Sequence, residues 1–141
     1  LRGVKVNHFT CHGALNCFNG DEIAALGSSL LSFQLQVDSF KKSHRLIDIP
    51  SFIKVMKSCT GLTSLQLGRF KVSSAIPAII EYCRGMKILE VCGDGFSRSR
   101  EPSMLKLAEG CPQLESLTFL QSRSGIFSNA FMRFVDSCPR L

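Results

Sequence analysis

The sequence predicts an α/β solenoid, a horseshoe segment with parallel strands on its concave face and helices on its convex face. Residues 1–141 read as a single domain of about five strand-loop-helix repeats. Two observations carry this. A motif of the form C-x-x-L-x-x-L-x-L recurs at nearly constant intervals, and an apolar helical stripe stands just upstream of its cysteines. A third bounds the class: 45% hydrophobic against 20% charged residues describes a folded chain able to bury a core.

Taken in order, LRGVKV supplies Leu1, Val4 and Val6 as the anchors of a first strand. GSSLLSFQL follows, with Gly27 at the cysteine position and Leu30, Phe33 and Leu35 at the apolar ones. CTGLTSLQL begins at Cys59, CRGMKILEV at Cys83 and CPQLESLTF at Cys111, with Met86 and Val91 as conservative replacements; CPRL begins at Cys138. Cys59 to Cys83 spans 24 residues, Cys83 to Cys111 spans 28, and Cys111 to Cys138 spans 27.

The helices come from counting back seven, four and three residues from each cysteine. That gives Phe52, Val55 and Met56; Ile76, Ile79 and Ile80; Met104, Leu107 and Ala108; and Phe131, Phe134 and Val135. With the cysteine itself these are positions i, i+3, i+4 and i+7, one helix stripe whose last member is the cysteine. Asp48, Ser73 or Ser74, and Ser128 or Asn129 are candidate N-caps, with a proline near the first turn of three helices. Gly27 to Cys59 spans 32 residues and includes KKSHR, so residues 36–47 are read as a loop insertion. Both chain ends fall inside a repeat, with no polar capping unit, so a segment of a longer array is expected.

This pattern resembles the leucine-rich repeat, and more narrowly its cysteine-containing subtype, as in F-box leucine-rich-repeat proteins with a ribonuclease-inhibitor-like solenoid. The similarity covers nearly the whole chain. SGIFSNAFMRFVDSCPRL, with Ile126 twelve residues before Cys138, and LAEGCPQLESLTF carry it best. The residue three past the last strand anchor, usually Cys or Asn in the subtype, is here Phe9, Asp38, Phe70, Asp94 or Ser122. The resemblance implies a noncatalytic protein-interaction module, the substrate-recognition part of an F-box-type ubiquitin ligase adaptor. A scaffold or regulator unrelated to ubiquitin is the alternative, as is a basic-edge binder of nucleic acid or a phosphorylated ligand.

Catalytic, metal and cofactor chemistry find little support. Seven cysteines, an odd number, fit a reducing compartment, cytoplasmic or nuclear, better than a disulfide scaffold. Stacked repeats place the repeat cysteines in a row about 5 Å apart, as buried small hydrophobes and without C-x-x-C. HFTCHGALNC contains His8, Cys11, His12 and Cys17, but matches no zinc spacing and is assigned to a loop and early helix. His8, His12 and His44 fall in loop regions beside no G-x-S-x-G nucleophile, and GDG at 93–95 is a turn rather than a phosphate loop. No enzyme, no metal, no cofactor and no membrane span are expected, the longest apolar run, SAIPAII, being cut by Pro77.

Positions between the buried anchors point outward from the concave sheet. The central column reads Lys5, Gln34, Gln66, Glu90 and Thr118. Gly3, Ser32, Ser64, Ile88 and Ser116 run on one side, and Asn7, Gln36, Gly68, Cys92 and Leu120 on the other, with Ile88, Cys92 and Leu120 as an apolar spot. This face is the expected protein-binding surface. The chain carries a net charge of +6, and eight of its 17 Lys and Arg follow their strands: Lys41, Lys42, Arg45, Arg69, Lys71, Arg98, Arg100 and Arg123. They form a basic edge suited to an acidic or phosphorylated ligand. The single tyrosine, Tyr82, sits on a helix, which leaves nucleic acid a minor option.

Overall fold

The structure is a computed structural model that describes residues 5–12, 20–36, 49–68, 72–92, 101–120 and 128–141. Five strands form one parallel sheet in chain order: β1 His8–His12, β2 Ser32–Gln36, β3 Ser64–Gly68, β4 Ile88–Cys92 and β5 Ser116–Leu120. Helices α1 Gly20–Ala24, α2 Ile49–Ser58, α3 Val72–Tyr82, α4 Glu101–Gly110 and α5 Ser128–Ser137 alternate with them. A parallel neighbour requires the chain to return to the starting end of the sheet, and α1 to α4 lie on the four returns.

The register places equivalent motif positions side by side. Phe33, Leu65, Leu89 and Leu117 pair in one row, and Leu35, Leu67, Val91 and Phe119 in another. The turn before each strand repeats too. The Leu31 carbonyl accepts the N–H groups of Thr63 and Ser64 at 2.9 and 3.0 Å, and the Thr63 carbonyl accepts those of Lys87 and Ile88 at 2.8 and 3.0 Å. Strand anchors Phe33, Leu35, Leu65, Leu67, Leu89 and Val91 are buried against Phe52, Val55, Met56, Ile76, Ile79, Met104, Leu107, Ala108 and Phe134, the stripes read from the sequence. Among the described residues this core holds no buried polar or charged side chain.

The first strand departs from the expectation. Its frame is Val6, Phe9 and Cys11, with β1 starting at His8, instead of Leu1, Val4 and Val6. Both frames satisfy the same three-then-two spacing. Packing decides between them: Phe9 pairs with Phe33 in register, their ring centroids lie 6.1 Å apart, and Val6 and Phe9 rest against the core. HFTCH is therefore a strand, and His8 and His12 are not loop residues.

Two helices also differ from their expected form. α3 begins at Val72, so Ser73 and Ser74 lie in its first turn and do not precede it, and Pro77 is inside the helix. That proline forgoes one backbone hydrogen bond; buried Ala75, Ile76, Ala78 and Ile79 on either side anchor the helix to the sheet. On α5, Val135 is 50% exposed, and beyond it Leu141 is 44% exposed, although their counterparts Met56, Ala108, Leu62, Met86 and Leu114 are fully buried. Among the described residues α4 is the helix that α5 packs on most extensively.

Glycine has distinct causes at two motif positions. Gly27 replaces the repeat cysteine where φ is +59°, a left-handed conformation that disfavours any side chain. Gly61 has a different constraint, because a Cβ there would lie 2.5 Å from the Ser28 carbonyl oxygen of the preceding unit. Gly85 holds the equivalent place one unit later with nothing within 4 Å of such a Cβ. Gly61→Ala is expected to lose about 1–3 kcal/mol in urea denaturation through backbone displacement. Gly85→Ala is expected to be neutral or slightly stabilising. Equal losses would mean that the close approach of the two turns is not what fixes Gly61.

Candidate partner-binding face

Strand alternation turns Gln34, Gln66, Glu90 and Thr118 away from the buried anchors, where they are half-buried. The central row of that face, aligned by register, is Thr10, Gln34, Gln66, Glu90 and Thr118. Thr10 takes the place expected for Lys5, which precedes β1 and is exposed; His8 and His12 likewise replace Gly3 and Asn7 in the flanking rows. The other central positions stand as read.

The row is cross-linked by side chains. Thr10 Oγ1 donates to Gln34 Oε1 at 3.5 Å, and Gln66 Nε2 donates to Glu90 Oε1 at 2.6 Å. The Gln66 amide bond to a carboxylate is the stronger kind, since its acceptor is charged. It fixes the orientation of both side chains across β3 and β4.

Beside this row run His8, Ser32, Ser64, Ile88 and Ser116. Ile88 is 47% exposed, between serines on both neighbouring strands. Cys92 and Leu120 pair in register at the far ends of β4 and β5, but their side chains, like that of Gln36, lie outside the described residues. The basic edge, Arg69, Lys71, Arg98, Arg100 and Arg123 with Lys41, Lys42 and Arg45, lies wholly outside them, as do most of the 36–47 insertion and GDG at 93–95.

An ion row along the strand entries was missed in the sequence. Lys87 Nζ lies 3.1 Å and Arg140 Nη1 3.5 Å from Glu115 Oε1. The available signal was register: Lys87 and Glu115 each immediately precede their strand's first residue, one unit apart.

The cysteines do more than fill space. Cys59, Cys83, Cys111 and Cys138 are free and buried, and each backbone N–H closes the preceding helix by bonding four residues back. The thiols of three reach the previous unit. Cys59 Sγ donates to the Ile23 carbonyl at 3.8 Å, Cys83 Sγ to that of Met56 at 3.9 Å, and Cys138 Sγ to those of Ala108 and Cys111 at 3.5 and 3.4 Å. Ile23, Met56 and Ala108 are in last helical turns, where carbonyls have capacity left for such a donor; that of Ile23 also accepts the Leu26 N–H at 3.0 Å. The thiol is a weak donor well placed for them. Burial pushes Cys83 up to about 12 and Cys111 up to about 11, and it raises Cys59 and Cys138 as well. These groups stay protonated at neutral pH, as suits buried structural thiols that act as weak donors.

His8 is exposed, while Cys17 and the side chains of Cys11 and His12 lie outside the described residues. Among the described residues no three His, Cys, Asp or Glu side chains gather as a metal site, and no helix is long and apolar enough to cross a membrane. In comparisons with known proteins, no protein-family model matches the chain and no curated protein matches it significantly.

Proposed function

We propose that this chain is a noncatalytic protein-interaction module, a leucine-rich-repeat solenoid segment that binds a protein partner on the concave face of its sheet. The observation that carries the reading is the polar row Gln34, Gln66, Glu90 and Thr118, in which Gln66 is bonded to Glu90, with exposed Ile88 beside it. Repeated polar side chains held in register on an open sheet, with an apolar side chain among them, form the extended surface that solenoids use for recognition. The motif spacing and the buried cysteine row support the leucine-rich-repeat assignment.

The resemblance to F-box leucine-rich-repeat proteins supports a more specific role, presenting the bound protein to a cullin-type ubiquitin ligase. Affinity capture from cell extract tests both levels. The chain is expected to retain a partner that the face variant Gln34→Arg/Thr118→Arg loses at unchanged circular dichroism. Identical recovery by the two would overturn the face assignment. Ligase core subunits in the eluate support the ubiquitin role, and a partner recovered without them favours a scaffold.

A further inference from the structure

Glu90 and Ile88 project from alternate positions of β4 on the same face, about 7 Å apart by strand geometry. Glu90 is half-buried, and Gln66 holds one of its carboxylate oxygens. Among the described residues no lysine, arginine or histidine forms an ion pair with it. Lys87 and Arg140 are both turned to Glu115. A carboxylate held by one amide donor retains acceptor capacity on its second oxygen, and partial burial strengthens its preference for a cation.

Ile88 supplies the apolar half. Its strand neighbours are Ser64 and Ser116, so it stands above short side chains with room for a partner group against either flank. Among the described strand residues it is the exposed large hydrophobic side chain.

We infer that this face takes an extended partner segment carrying a lysine or arginine close to an aliphatic or aromatic side chain, the cation on Glu90 and the apolar group on Ile88. The inference rests on the partner-binding role proposed above and specifies its chemistry. Recognition by the described part of the face is thus for a basic segment, although the whole chain carries a net charge of +6. Local complementarity at the contact, more than net charge, selects the partner.

The test uses two dodecapeptide libraries displayed on phage, one with Lys or Arg fixed two residues from Leu, the other identical with Glu in place of the cation. Selection on the chain is expected to enrich the basic library, and peptides made from its consensus are expected to bind Glu90→Gln and Ile88→Ser about tenfold or more weakly by fluorescence polarisation. Binding of these peptides is also expected to weaken with added salt. Enrichment of the acidic library, or of neither, overturns the inference. So does a consensus peptide that binds both variants as it binds the parent. In that last case Thr118→Trp separates the two levels: if it abolishes binding, the face assignment stands and only its chemistry is wrong, and if it does not, the face assignment falls as well.

Discussion

Leu65→Ala loses about 2–5 kcal/mol of unfolding free energy, the cost of a buried leucine truncated where its surroundings cannot collapse. Leu65 is fully buried in the central strand and pairs with Phe33 on one side and Leu89 on the other, both also fully buried. Backbone hydrogen bonds on both sides hold β3 in place, so the gap stays open. For a chain of this size the melting temperature falls by roughly 10 °C. Leu117, its counterpart on β5, is half-buried and, among the described residues, borders a single strand, so Leu117→Ala costs less than half as much. Urea and thermal denaturation followed by circular dichroism measure both. Equal costs would show that the sheet's end is packed as tightly as its middle.

Alkaline pH destabilises the fold through the buried thiols. In the unfolded chain they ionise near 9.0, whereas burial holds Cys83 to about 12 and Cys111 to about 11. Between those values the folded state keeps protons that the unfolded state has released, so stability is complete below pH 9 and falls as pH rises through the window. The urea midpoint is expected to be flat from pH 7 to 8.5 and to decline above pH 9. Cys83→Ala is less stable at neutral pH by roughly 1–3 kcal/mol, having lost packing and a hydrogen bond, but its decline above pH 9 is shallower. Parallel declines would indicate that the thiol does not carry the pH dependence.

The sequence specified the later units well because two periodicities constrain each one. Cys59, Leu62, Leu65 and Leu67 fix a strand frame, and Phe52, Val55 and Met56 fix a helix face, so an error in one would misalign the other. The first unit had only the strand spacing. Leu1-Val4-Val6 and Val6-Phe9-Cys11 satisfy it equally, and the choice depended on Phe9 meeting Phe33 across strands, a contact between residues 24 apart. Pro77 misled for another reason: SAIPAII permits a helix starting on either side of the serines, and a proline suits a first turn better than an interior. Of the candidate face, alternation gave Gln34, Gln66, Ile88, Glu90, Ser116 and Thr118. Alternation alone could not show that Gln66 donates to Glu90, or that Lys87 and Arg140 turn to Glu115, because those depend on side-chain reach between neighbouring units.

Among the described residues each strand pairs with the strands before and after it in the chain, and the register from Ser32 to Ser64 to Ile88 is unbroken. Yet the first of those steps spans 32 residues and the second 24, the excess falling between β2 and α2. Connection length is therefore decoupled from sheet geometry. Residues can be spliced in or removed at such a connection while the row that carries Gln66 and Glu90 keeps its alignment.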